Sequence, residues 1–266
     1  MRRPLRIRRS DISLLEAFRP RPHEPAPSLK SSCDAYFFEL ARRVGIAALA
    51  DAARQLGLGQ TFEGGLSQHK AGLVPDPDWK RGRWNAGWLG GETILTGIGQ
   101  GYLLATPLQL AVMTARIATG REVTPTLELA KPGAPAPTFA ELPFTPAHLD
   151  AVRAAMVAVV NDGGGTGSAA RLAGDGMVVA GKTGTSQVSR ASTDVSSDDL
   201  GWGQRDHALF VAYVPAASPR YAVAAVVEHG GSGGSTAAPL VRDVMEALIA
   251  TDTAGLPPAD AGGRRG

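Results

Sequence analysis

Two apolar runs near the C-terminal end do most to limit how this chain can fold. Ala208 to Val214 and Tyr221 to Glu228 are rich in β-branched and aromatic residues, a composition that fits strands, and only residues 215 to 220 separate them. A parallel pair needs a crossover of a dozen or more residues, so the two runs are expected to form an antiparallel hairpin. A third strand is expected upstream, where Val178-Val179-Ala180 leads into Gly181-Lys182-Thr183-Gly184-Thr185-Ser186-Gln187.

The chain ahead of that strand reads mostly as helix. Helices are expected over Asp34 to about Val44, with Ser32 able to cap it, and over roughly Ile46 to Leu56. Two more are expected over Leu108 to about Ala118, behind Thr106-Pro107, and over Pro146 to Val160. A short helical turn at Ser168 to Leu172 follows a glycine run over 161 to 167, and Pro239 to about Ile249 reads as a closing helix. Residues 60 to 91 read as a long irregular stretch whose tryptophans, Trp79, Trp84 and Trp88, anchor it to the core, with a share in a ligand groove as the alternative. Helices, then three successive strands, then one helix give an α+β fold with an antiparallel sheet flanked by helices, not a βαβ repeat. The helical first half is expected on one face of the sheet and the closing helix on the other.

Composition matters here mainly for what it excludes. With 266 residues, 44% of them apolar, the chain has material for one substantial core, and a formal charge of +2 gives no particular pull toward nucleic acid. Cys33 is the single cysteine, which rules out an internal disulfide, and no apolar run is long enough to span a membrane or form a signal-peptide core. Residues 1 to 28 hold seven arginines and five prolines but no glycine, and are expected to be a disordered basic tail or a stretch foreign to the domain. A nucleic-acid-binding arm is the alternative for that stretch. The tail from 251 to 266 is also expected to be disordered.

The third strand carries the chemistry. Gly176 to Thr183 satisfies the phosphate-loop pattern G-x-x-x-x-G-K-T, but its interior, Met177 to Ala180, reads as the strand itself, and no helical period follows. The other reading is a K-T-G-T strand of a serine acyl-transfer enzyme. Lys182 then offers a fixed cation for a ligand carboxylate, and Thr183 and Thr185 offer hydroxyl donors. The Thr185 N–H is placed to serve an oxyanion, and Gly184 leaves room for close approach.

Together with other motifs this strand makes the chain resemble the transpeptidase domain of class B penicillin-binding proteins, most closely the elongation-type penicillin-binding protein 2 group. Ser32-Cys33-Asp34 resembles that group's S-x-N motif with aspartate at the third place. Trp88, Gly91-Glu92-Thr93, Gly97-Ile98-Gly99-Gln100-Gly101-Tyr102 and Thr106-Pro107-Leu108-Gln109-Leu110-Ala111 resemble its middle block, and Lys182-Thr183-Gly184-Thr185 its third motif. The likeness covers about residues 29 to 250.

The resemblance implies a penicillin-binding and serine β-lactamase-like fold. It implies D,D-transpeptidation of peptidoglycan stem peptides ending in D-Ala-D-Ala, with β-lactams as mimics, and no cofactor or metal. The catalytic residues it implies are Ser32 as a proton relay to the leaving amine, Asp34 as its orienting partner, and Lys182. Thr183, Gly184, Thr185 and Gln100 are implied for substrate binding. Elongation-complex proteins are the implied partners, and an inner-membrane site facing the periplasm the implied location of the full-length family member. His23 and Glu24 are weak metal candidates and are set aside.

The family's nucleophile and base, an S-x-x-K, lie roughly fifty residues ahead of this motif serine, and the 31 residues before Ser32 contain none. Ser67-Gln68-His69-Lys70 has the pattern, but Gly64, Gly65 and Gly72 crowd it, so it is not expected to be the nucleophile. The chain is therefore expected to be an N-terminally incomplete domain, inactive by itself, derived from a longer enzyme. The alternatives are a catalytically dead module that binds cell-wall peptide or a morphogenesis partner, and a relative of the serine β-lactamases or D,D-carboxypeptidases.

Overall fold

The computed structural model describes residues 25–62, 70–127, 137–174, 177–188 and 200–253. Its helices are α1 (Pro25–Lys30), α2 (Asp34–Val44), α3 (Ile46–Gln55), α4 (Pro77–Trp84), α5 (Gly90–Gly97), α6 (Pro107–Thr119), α7 (Pro146–Asn161) and α8 (Ala238–Thr253). The strands β1 (Ala180–Ser186), β2 (His207–Val214) and β3 (Tyr221–Val227) form an antiparallel sheet in the order β1-β2-β3.

The central strand explains the layering. Alternate β2 residues Ala208, Phe210, Ala212 and Val214, all fully buried, pack into one cluster with Val241 and Met245 of α8. On the opposite face Tyr213 joins Ala118 of α6 and Met156 of α7. Both faces of β2 are covered, which is why its sequence is apolar throughout instead of alternating. Helices α6 and α8 take opposite faces as expected, but α7 lies against β1 and serves both sides, with Met156 in the cluster of α6 and Val159 and Val160 in that of α8.

Helix α6 is specified at both ends. Thr106 Oγ1 accepts from the Gln109 N–H at 3.2 Å, Gln109 Oε1 accepts from the Thr106 N–H at 3.0 Å, and Gly120 closes the helix in the left-handed region. Gln109 is buried, and its amide donates to the carbonyls of Gln60 and Ala71, tying the chain on either side of residues 63–69 to this helix.

The stretch from 60 to 91 departs from the expected irregular loop, because it contains α4 and the start of α5. The α4 sequence has no apolar period to betray it. Its N-terminus is made by Asp76, whose carboxylate accepts from the Trp79 N–H at 2.8 Å, with Pro77 in the first turn. It is held by a buried ion pair: Lys80 Nζ reaches both oxygens of Glu92 at 2.6 and 2.7 Å. Glu92 also accepts from the Leu89 N–H at the head of α5. Trp79, Trp84 and Tyr102 form a ring cluster beside this pair, while Trp88 donates to Thr93. The tryptophans therefore tie α4 and α5 to their immediate surroundings, and Trp84 stays half exposed instead of entering the core.

Helix α5 crosses α2 very closely, since a Cβ on Gly97 would stand 2.4 Å from the Cβ of Ala41. Glycine at that point lets the loop after α5 reach the sheet. The break drawn at residues 28 and 29 falls inside α1, which lies against α7. Residues 1–24 and 254–266 lie outside the described residues, as do His23, Glu24 and Ser67-Gln68-His69.

Candidate functional site

Strand β1 enters the core at Val179 and Ala180 and emerges with its polar residues at one end of the sheet. Pairing of Lys182 with Val211 and of Thr183 with Phe210 puts the two side chains on opposite faces. Lys182 thus points to the side of α2 and α6. It is no phosphate loop: Lys182 and Thr183 sit inside the strand, which runs on to Ser186.

Ser32 lies in the turn between α1 and α2 with φ +54°. The turn is held by α1, whose Ser28 and Leu29 carbonyls accept from the N–H groups of Cys33 and Ser32 at 2.9 and 3.2 Å. Ser32 does not cap α2, the simpler role open to it. Cys33 occupies the cap position, without a side-chain bond, and the left-handed turn aims the Ser32 hydroxyl at the strand instead. There it accepts from Lys182 Nζ at 2.9 Å, closing a contact across 150 positions of sequence. Because an ammonium only donates, the Ser32 proton is left over for another acceptor.

The same ammonium donates to the Thr183 carbonyl at 3.0 Å and to Thr183 Oγ1 at 3.2 Å. Burial pushes Lys182 down from 10.5 to about 8, against the attraction of Asp34. Asp34, the first residue of α2, is raised by burial, and the charge of Lys182 opposes the rise. At neutral pH the lysine is still mostly a cation, held by two hydroxyl oxygens and a carbonyl.

Gln100 arrives from the loop after α5 and donates from Nε2 to the Thr185 carbonyl at 2.8 Å. Gly184 lies between the two threonines, with Gly233 of the following glycine-serine turn seated on its backbone. All seven residues expected at the site (Ser32, Asp34, Lys182, Thr183, Gly184, Thr185 and Gln100) are thereby brought to one end of β1. One residue was not anticipated. Thr166, expected only within a glycine run or at the lead into the turn at Ser168, places its hydroxyl 2.9 Å from Thr183 Oγ1. A threonine between glycines carries no signal of its own, and only the packing reveals it. Cys33 is a half-buried free thiol, and among the described residues no three His, Cys, Asp or Glu side chains gather as a metal site would need.

Comparison with known proteins gives a consistent picture. The family model of the penicillin binding protein transpeptidase domain matches residues 16–246. A peptidoglycan D,D-transpeptidase MrdA from Acinetobacter baumannii is 38% identical over 230 residues, covering 83% of this chain and 34% of its own. The Haemophilus influenzae protein of the same name is 35% identical over 229 residues, covering 82% and 35%. Among solved structures, Pseudomonas aeruginosa PBP2 in complex with WCK 5153 superposes with a TM-score of 0.70 at 37% identity, covering 84% of this chain and 48% of that one. The Helicobacter pylori PBP2 in its complex with MreC gives 0.72 at 31% identity, covering 87% and 40%. The chain spans about a third of the length of the curated relatives it matches.

Proposed function

Since the chain belongs to the penicillin-binding protein transpeptidase family, we propose that it carries the recognition and proton-relay side of a peptidoglycan D,D-transpeptidase site. The observation that carries this is the Lys182–Ser32 bond, which joins the S-x-D turn to the K-T-G-T strand.

The chemistry follows from the donors and acceptors present. A stem peptide ending in D-Ala-D-Ala lies along β1 with its terminal carboxylate facing Lys182 and the hydroxyls of Thr183 and Thr185. The Thr185 N–H supports the penultimate carbonyl oxygen as it gains charge during attack by a serine. The departing D-alanine amine must take up a proton, and Ser32 has one free while its oxygen is fixed by Lys182. Asp34 keeps that lysine more protonated than burial alone would allow. Gln100 covers the Thr185 carbonyl, which an extended substrate would otherwise meet with its own N–H. A β-lactam presents the same carboxylate and carbonyl pair. The reaction is acyl transfer by a serine and a lysine base, and needs no cofactor.

The S-x-x-K that would supply that serine and base does not precede Ser32 in these residues. The 266 residues by themselves are therefore expected to bind without acylating. The transpeptidase part of the proposal is the expected 29–250 extended to take in all of α1 and α8, because Ser28 of α1 holds the Ser32 turn. Partners of the elongation complex are proposed for the parent enzyme, as is a place at the inner membrane facing the periplasm. Among the described residues no helix is long and apolar enough to cross a membrane.

The test is calorimetric titration with a D-Ala-D-Ala tripeptide, beside intact-mass spectrometry after incubation with a penicillin. Reversible binding of the peptide with an unchanged protein mass is expected. A folded chain that ignores the peptide would remove the groove reading. A mass gain of one antibiotic molecule would locate a nucleophile within these residues and return attention to Ser67.

A further inference from the structure

Among the described residues the Thr166 hydroxyl meets Thr183 alone, and the Thr166 backbone is fixed independently of that side chain. A Cβ on Gly165 would stand 2.3 Å from the Val159 carbonyl oxygen, and one on Gly167 would stand 2.9 Å from the Phe210 ring. The Gly167 N–H donates to the Val159 carbonyl at 3.0 Å. Two glycines pressed onto the end of α7 and onto β2 thus hold the exposed threonine over β1.

We propose that Thr166 is a positioning residue for carboxylate recognition, acting through Thr183; this rests on the groove reading above. Thr183 Oγ1 has two acceptor positions and one proton. In the proposed arrangement the Lys182 ammonium, a donor only, fills one acceptor position at 3.2 Å, and the Thr166 hydroxyl, 2.9 Å away in a bond that either oxygen can donate, fills the other by donating. With both occupied, the Thr183 proton has one direction left, outward into the groove. An oxygen that accepts two such bonds is also a stronger donor, because each polarises its O–H. A carboxylate at Lys182 selects this arrangement, since its charge draws the proton of the oxygen nearest the ammonium. Without the Thr166 hydroxyl the Thr183 proton is free to rotate away from the ligand, and the donor must be reoriented on binding.

The test compares the 266-residue chain with Thr166→Val, which keeps the shape and loses the hydroxyl, and Thr166→Ser, which keeps the hydroxyl. Each is titrated calorimetrically with a D-Ala-D-Ala tripeptide and with its analogue lacking the terminal carboxylate. Thr166→Val is expected to weaken the acid by about 5-fold, near the worth of one net hydrogen bond, and to leave the analogue within about 2-fold. Thr166→Ser is expected to restore the acid. Equal loss of both probes in Thr166→Val would mean a structural role and overturn the inference. If the wild type prefers the acid and Thr166→Val keeps that preference undiminished, the inference alone fails. If the wild type binds neither probe, the groove reading fails and takes the inference with it.

Discussion

Lys182 should make the wild-type chain less stable near neutral pH than it is in alkali. In the folded chain burial lowers this lysine from 10.5 to about 8. At about 1.4 kcal/mol per pH unit that drop corresponds to about 3 kcal/mol, which the solvent on the groove side reduces to about 2 kcal/mol. The sign follows from proton uptake. Between pH 8 and 10.5 the unfolded chain holds a proton that the folded chain has released, so stability from this group rises with pH across that window. Below the window both states are protonated and the whole penalty is present.

Lys182→Met removes the titration, so urea unfolding of both proteins should be measured near pH 7 and again above pH 10. Near pH 7 the variant should gain on the wild type by about 2 kcal/mol relative to the comparison in alkali. The raised tyrosines Tyr102 and Tyr213 also affect alkaline stability, but they are common to both proteins and cancel in the difference. A difference between the two proteins that is the same at both pH values would refute the reasoning. The variant should at the same time lose binding of the D-Ala-D-Ala acid, so that stability and recognition move in opposite directions.

Asp34→Asn removes the attraction that opposes burial, so Lys182 should titrate below 8 in that variant; a lysine side-chain NMR titration that finds it unchanged or higher would contradict the assigned coupling. Glu92→Gln breaks the buried pair with Lys80 and should cost about 3–5 kcal/mol in urea unfolding, whereas Lys80→Met with Glu92→Leu together should recover a good part of the loss. A loss below about 1 kcal/mol for Glu92→Gln would show that the pair contributes little to holding α4 on α5. The Tyr213 hydroxyl is buried with no hydrogen-bond partner among the described residues, so Tyr213→Phe should leave stability unchanged or raise it by about 1 kcal/mol, read as the unfolding midpoint. A clear destabilisation would mean that the hydroxyl is satisfied in solution.

Some elements were legible because their signals are local. Thr106, Pro107 and Gly120 mark the ends of α6 by hydrogen bonds made within a few residues, and Gly57 and Gly59 follow α3 with positive φ. The strands β2 and β3 showed through composition, as runs buried on two sides or at an edge must. Helix α4 did not, because its stability comes from a cap at Asp76 and an ion pair with Glu92, neither of which has an apolar period. Helix α1 escaped for a similar reason: Pro25–Lys30 is too short to show a pattern, and it is held against α7.

The sequence by itself picked out residues that the fold gathers at β1, since the K-T-G-T strand, the S-x-D turn and Gln100 stand out by type and order. It also determined the fold class, because six residues between two strands admit only a hairpin. What Ser32 does was decided by the tertiary structure alone. A serine ahead of a helix has the same sequence signature whether it caps that helix or turns away. Here the left-handed turn carried by α1 sends its hydroxyl to a lysine 150 positions distant. Thr166 and the lowered proton affinity of Lys182 belong to the same class. Burial and hydroxyl-to-hydroxyl distance are properties of packed neighbours, and those neighbours come from α2, α7 and β2, which are adjacent only once the chain has folded.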